Sequence, residues 1–325
     1  MKARSRFPVY VLQALLLCGC ATAWPDRPPV LESLGLPDHF AVGSDQGPAP
    51  VAADLDSCWT WLDDPGLALV AAASPPSARI AQARRYVALR ELQARSADLQ
   101  AYLDAGQANL QVARFREEAK LVTARDVMRI DVELTGATAS LAGVQREATA
   151  DVSRIEAVAA PAADGLAAAL AAPAAIPAGP ADVAIGRPSD LLGRRPHLGA
   201  VAGNTQARWR LVSAQTNPGL ALRQVIRKAV AEVEDARIGL DAAGARAQGL
   251  ASAVDKAEAL ARLVRQQYRE GGADYRDLSS AETGLLAARD ALAEVQAAHA
   301  GAALDLCVAL GGGDGPTTAP ARQGR

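Results

Sequence analysis

Residues 89–113 read LRELQARSADLQAYLDAGQANLQVA. Leu89, Leu92, Ser96, Leu99, Leu103, Gly106, Leu110 and Ala113 stand alternately three and four positions apart. That alternation is a heptad seam, and the small residues Ser96 and Gly106 let a partner helix approach closely. After a polar break at Glu117 to Lys120, the seam resumes with Val127, Ile130, Leu134, Ala137, Leu141, Val144, Ala148 and Ile155. Two helices of about 40 and 30 residues with so short a joint must fold back on each other. The expectation is an antiparallel hairpin over residues 78–156, with Ser77 as its N-cap.

A second hairpin is expected over residues 221–310. Leu222, Val225, Ala229, Val233, Ala236, Leu240, Ala243, Ala247, Leu250, Val254, Ala257 and Leu263 line its first helix. Gly271-Gly272 breaks it, and Leu278, Ala281, Leu285, Ala288, Leu292, Val295, His299, Ala302, Leu306 and Ala309 line its return. Gly311 to Gly313 stops the chain, and residues 311–325 read as a disordered tail. Between the hairpins, residues 157–220 form an Ala/Pro linker and a middle segment, GRPSDLLGRRPHL, from Gly186 to Leu198. Pro161, Pro173, Pro177 and Pro180 exclude a continuous helix there. One short helix is expected from Leu198 to Thr216, stopped by Asn217-Pro218-Gly219, and Arg194-Arg195-Pro196 is expected to fix a chain reversal. Residues 20–77 read as a Pro-rich tether ending in a short opening helix that carries Trp59 and Trp61.

Composition agrees with long paired rods. The 325 residues are 50% hydrophobic but only 4% aromatic, so alanine carries most of the apolar content. With 34 basic and 36 acidic residues, nucleic acid is excluded as the main partner. Three His and scattered Cys give no multi-ligand metal spacing, and no Ser-His-Asp set or phosphate loop is present. The reading is therefore of a protein without metal, cofactor or enzymatic chemistry. At the amino terminus, Lys2, Arg4 and Arg6 precede an apolar run of about ten residues from Val9 to Cys18, the proportions of a signal peptide over 1–19. Leu17-Cys18-Gly19-Cys20 is similar to the lipobox of bacterial lipoproteins, which makes Cys20 the acylated first residue of the mature chain. An ordinary signal peptide with an incidental cysteine is the plainer alternative. Cys58 and Cys307 pair or stay buried as thiols; nothing in the sequence decides which.

The hairpins repeat one plan, with ARFREEAKLVTARDV at the first tip and QQYREGGADYRDL at the second. Phe115 answers Tyr268, Arg116 answers Arg269, Asp126 answers Asp277 and Val127 answers Leu278. This leaves two extra residues in the first tip, and Lys120 stands where the family that this chain resembles usually has glycine. With the lipobox, CWTWLDDPGLALV, ARRYVALRELQAR, LVTARDV, GRPSDLLGRRP, VAEVEDA, YREGGADYRDL and VALGGG in order, the chain resembles the TolC-like outer-membrane factors. The likeness is greatest to their lipid-anchored NodT-type branch. That resemblance implies a homotrimer whose helices form a periplasmic tube beneath an outer-membrane β-barrel. It also implies partners: a periplasmic adaptor (membrane fusion protein) at the tips and an inner-membrane RND-type pump. The tip positions that match are Leu121, Val122, Thr123, Asp126 and Val127 in the first hairpin, with Gly272, Ala273, Tyr275, Asp277 and Leu278 in the second. The simpler role for Asp126 and Asp277 is capping of the returning helices. His299 reads as a packed seam residue. Glu232, Glu234 and Asp235 read as a solvated face or weak ion pairs.

The chain departs from the family in one large respect. A membrane strand needs about 9–11 residues. The joints between Ala73 and Ala78, and between Asn217 and Leu222, are too short to hold one. The expected fold is therefore mainly α, two long-helix hairpins of the TolC-like α-barrel type, with the membrane strands missing. Two further readings follow: a lipid-anchored helical-hairpin protein without pore activity, and a decayed efflux protein.

Overall fold

A computed structural model describes residues 37, 39–42, 55–159, 165–195, 198 and 218–312. The lipobox, most of the tether, the expected helix after Leu198 and the tail lie outside these residues. The elements are a 3-10 helix Leu55–Leu62, then α1 Pro65–Ala73, α2 Arg79–Glu118, α3 Ala124–Glu156, α4 Leu166–Ala171, α5 Leu191–Arg194, α6 Pro218–Glu270 and α7 Tyr275–Leu310. Short 3-10 turns precede α2 and α5. Among the described residues there is no β-strand, and the fold is mainly α. No helix there is long and apolar enough to cross a membrane.

The pair α2–α3 and the pair α6–α7 are the two hairpins, and α2 packs on α7 to join them. The four long helices thus run in the order α3–α2–α7–α6, with α3 and α6 at the edges. The seam explains why the pairs close so tightly. Leu89, Leu92, Leu99, Leu103, Leu110 and Ala113 are buried on α2. At Gly106 an added Cβ would stand 2.3 Å from Leu134 Cδ2 on α3, so any larger residue there must push the Leu134 side chain aside.

Three expectations are corrected. Ser77 does not cap α2; it lies in the 3-10 turn Pro76–Ala78, and Ala78 stands at the cap without a side-chain bond. The second hairpin begins at Pro218, not after it. A proline at the first helical position gives up only an N–H that has no partner in any helix. On α6 the seam does not reach Leu263, which is 53% exposed. It continues from Val254 and Ala257 through Ala261, Val264 and Tyr268, still alternating three and four.

The end of the hairpins away from the tips is a body in which the short segments lock the rods. Asp64 accepts the Leu67 N–H at 2.7 Å to start α1, and also the Tyr86 hydroxyl at 2.7 Å. Gly66 lies beneath that hydroxyl, where a Cβ would sit 2.2 Å from it. Arg90, 2% exposed, donates to the carbonyls of Ala172 at 2.6 Å and Ala169 at 2.7 Å, closing the end of α4. Arg195 does the same for α7, donating Nε to Ala309 O at 2.9 Å and Nη1 to Glu232 at 2.6 Å on α6. The middle segment thus fastens the end of the last helix, and Glu232 is one of its anchors. Cys58 and Cys307 are joined as a disulfide, which settles the alternative the sequence leaves open.

Candidate functional site

The two hairpin tips are built by one rule. At the first, Lys120 N–H reaches Glu117 O at 2.8 Å and Leu121 N–H reaches Arg116 O at 2.8 Å. At the second, Gly271 N–H reaches Tyr268 O at 3.2 Å and Gly272 N–H reaches Gln267 O at 2.7 Å. Both are Schellman closures, which need a left-handed residue just past the helix. Gly271 supplies it at φ 84°, and Lys120 at φ 60°. Lysine there keeps the turn and carries the strain a glycine would avoid.

The returning helices also start alike. Thr123 caps α3 and Asp274 caps α7, with Asp126 and Asp277 three residues on as the reciprocal members of capping boxes. Asp126 and Asp277 are therefore third helical residues, not the caps. Hydrogen bonds from the Thr123 hydroxyl, then from its N–H, hold the Asp126 carboxyl below the usual range. From Lys120 to Asp126, and from Gly271 to Asp277, the turns have the same length, so the first tip holds no extra residues. The structural partners are Lys120 with Gly271, Thr123 with Asp274 and Asp126 with Asp277. Pairing Phe115 with Tyr268 is wrong by two positions, and exposure agrees: Phe115 is 70% exposed and Tyr268 is 1%.

The ten tip residues divide by burial. Leu121, Thr123, Gly272 and Asp277 are exposed on the tips, and Val122, Asp126, Val127 and Ala273 are half-buried. Tyr275 and Leu278 are buried in a cluster with Leu110, Ala113, Ile130, Val264 and Tyr268, drawn from all four helices. They hold the tips together and present nothing outward.

Three residues make the cross-hairpin joints, and the sequence reading assigned a joint to none of them. Glu133 on α3 accepts from Tyr275 Oη at 2.6 Å and Ser279 Oγ at 3.0 Å on α7. Burial, then the bond to Glu133, pushes the Tyr275 phenol well above its usual range. Arg116 donates to Tyr268 O at 3.0 Å and lies 5.0 Å over its ring. A small cavity of about 20 Å³ beside Glu133 is lined by Tyr102, Asn109, Ser279 and Glu282. Further from the tips, Arg289 on α7 bridges Asp98 on α2 at 3.2 Å and Glu258 on α6 at 2.6 Å. The buried Glu282 pairs with Arg265. Such charges leave no signature in a seam pattern, since each alone reads as a solvated helix face. His299 is half-buried where α7 meets the linker and α6, its ring against Gly179 and Gly244. Burial lowers its pKa, partly offset by Asp241.

Among the described residues, no group of three or more His, Cys, Asp or Glu is arranged to hold a metal ion. No family model matches the sequence, and no curated protein aligns with it significantly. Solved structures do match the fold. The outer-membrane channel OprN is 22% identical, with 78% of this chain covering 71% of that one at a TM-score of 0.61. The outer membrane protein VceC of Vibrio cholerae is 18% identical, covering 79% and 77% at 0.58. The CmeC outer membrane channel of Campylobacter jejuni is 11% identical, covering 73% and 64% at 0.60. At these identities the likeness establishes a shared fold.

Proposed function

We propose that this chain is a lipid-anchored component of an outer-membrane efflux duct of the TolC-like, NodT-type class. It assembles as a homotrimer whose tips meet a periplasmic adaptor and, through it, an inner-membrane RND-type pump. Cys20 carries the acyl anchor, and the helices face the periplasm. Its work is passive: it guides and docks, and no bond is made or broken.

The observation that carries this reading is a second seam on each edge helix. On α3, Met128, Val132, Thr135, Ala139, Ala142, Arg146, Thr149 and Ser153 alternate four and three apart, and all are exposed. On α6, Gly239, Ala242, Arg246, Gly249, Ala253, Lys256, Leu260 and Leu263 alternate three and four apart, and all are exposed. A heptad face made mostly of small and apolar residues, with Arg146 as the charge on α3 and Arg246 and Lys256 on α6, is a surface for another helix. In this layer the two free seams lie on opposite edges, so α3 of one copy meets α6 of the next. Such a head-to-tail contact closes into a ring when the rotation from copy to copy completes a full turn. Three as the ring number is what the resemblance read in the sequence implies.

A second reading rests on a different observation. Between α1 and α2 the chain has five residues, Ser74 to Ala78, partly a 3-10 turn. No membrane strand fits at that joint, and a barrel wall cannot be left with open edges in lipid. On this reading the ring is an anchored helical collar without a pore of its own. One preparation separates the two. The full chain is extracted in detergent, its mass measured by sedimentation, and then placed in vesicles for ion conductance. A conducting trimer supports the duct, a silent trimer supports the collar, and a monomer defeats both. Radioactive fatty acid should label the chain and fail to label Cys20→Ala; label that survives the substitution removes the anchor.

A further inference from the structure

The disulfide joins places far apart in the chain. Cys58 lies in the opening 3-10 helix and Cys307 near the end of α7, with a sequence separation of 249. Both are sealed: Cys58 is 1% exposed and Cys307 0%. Leu62, Leu67 and Leu306 share the surrounding core, and Trp59 and Trp61 pack against it. Exchange requires a thiolate to approach a sulfur in line with the bond it breaks. No such approach is open once the opening helix lies on α7.

We propose that the Cys58–Cys307 bond is made by a dithiol oxidase of the exported compartment while the opening segment is still off α7. This rests on the reading that the chain leaves the reducing cytoplasm, where structural disulfides are rare. Cys58 is made first, so its thiolate attacks the catalyst's disulfide and forms a mixed disulfide, releasing one catalyst thiol. When α7 is complete, the Cys307 thiolate attacks the Cys58 sulfur and expels the second catalyst thiol. Two protons and two electrons pass to the catalyst, which leaves as a dithiol. Docking of the opening helix then buries the bond. The tether is thereby fixed covalently to the last helix, in a form that reductants outside the folded molecule do not reach.

The test uses the full chain, with thiols captured by maleimide after acid quench and assigned to Cys58 and Cys307 by peptide mass. Protein from cells with their periplasmic dithiol oxidase should show neither cysteine labelled; protein from cells lacking it should show both. Native protein in dithiothreitol should be reduced about a hundredfold or more slowly than the same protein in urea, because attack must await local opening. Cys307→Ser should leave Cys58 trapped with the catalyst as a mixed disulfide. Equal oxidation without the oxidase, or equal reduction rates with and without urea, overturns the proposal. Sedimentation of the same samples separates its failure from that of the ring, because a trimer with free thiols defeats only the disulfide route. Both cysteines reduced in a chain recovered from the cytoplasm would instead defeat the export reading.

Discussion

Lys120 is a residue whose cost can be named. It holds φ 60° at the closure of α2, where the equivalent Gly271 holds 84°. A left-handed non-glycine residue is strained by about 1–2 kcal/mol, part of which glycine's greater unfolded-state freedom offsets. Lys120→Gly should therefore raise stability by about 0.5–1 kcal/mol, read as a higher urea midpoint with an unchanged slope. An unchanged or lower midpoint would mean that the lysine side chain earns its place at the tip. Gly66 shows the opposite case. A methyl group there meets the hydroxyl of the fully buried Tyr86, whose phenol burial and the bond to Asp64 push up to about 12. Gly66→Ala should cost about 1–3 kcal/mol by overpacking, and Tyr86→Phe about 1 kcal/mol by leaving Asp64 short of a donor. Together they should cost less than their sum, since removing the hydroxyl removes the clash. Strict additivity in a double-mutant cycle would refute the contact. The sequence marks Lys120 and expects Arg195 to fix a chain reversal, but it shows none of these contacts: Asp64, Tyr86 and Arg90 are ordinary helix or loop residues there. Their partners lie far along the chain, and only the fold brings them together.

The rods themselves were legible because their signal is periodic and local. The seam of α2 needs no knowledge of the rest of the molecule, and its buried positions follow the three-four pattern to Ala113. The misreading at Leu263 has a physical reason. Leucines occur on both faces of α6, and the larger side chain draws the eye to the outer seam while Ala261 and Val264 continue the inner one. Start signals were half-read in the same way. Thr123 and Asp274, followed three residues later by aspartate, spell the capping box, in which Asp126 and Asp277 are the reciprocal partners rather than the caps. Asp126 gives this element a pH dependence of known sign. Its carboxyl titrates below its ordinary value in the folded chain. The stability it adds is full above the unfolded value of about 3.9 and is lost as pH falls through the lower folded value. Asp126→Asn should cost about 0.3–1 kcal/mol near neutrality, through loss of charge at the helix start. The two proteins should converge in urea midpoint as the pH drops below about 3.9. A gap that stays constant across that window would assign the loss to geometry rather than charge.

At the scale of the whole molecule, the inner seams hold one chain together and the outer seams have no use within it. Val132 is 71% exposed and Leu260 is 53% exposed, each on an edge helix. A charge placed there meets water in a single chain, where surface changes usually stay within about 0.5 kcal/mol. In a closed ring the same charge is forced out of water between two helices, beside the apolar residues of the facing seam, and that costs several kcal/mol at every interface. Val132→Glu and Leu260→Glu should therefore each dissociate the assembly on sedimentation while helix content is kept. Val308→Glu, at a residue 43% exposed on α7 and off both edge seams, should leave the assembly intact. If all three variants sediment as the parent chain does, the outer seams are not interfaces and the ring loses its warrant. If all three dissociate, the interface is not the edge seams of α3 and α6, and the order of copies around the ring must be different. Dissociation by the two edge variants alone ties the alternation that was plain from Leu89 to Ala113 to a second use, in which one heptad face of a helix builds the subunit and another builds the duct.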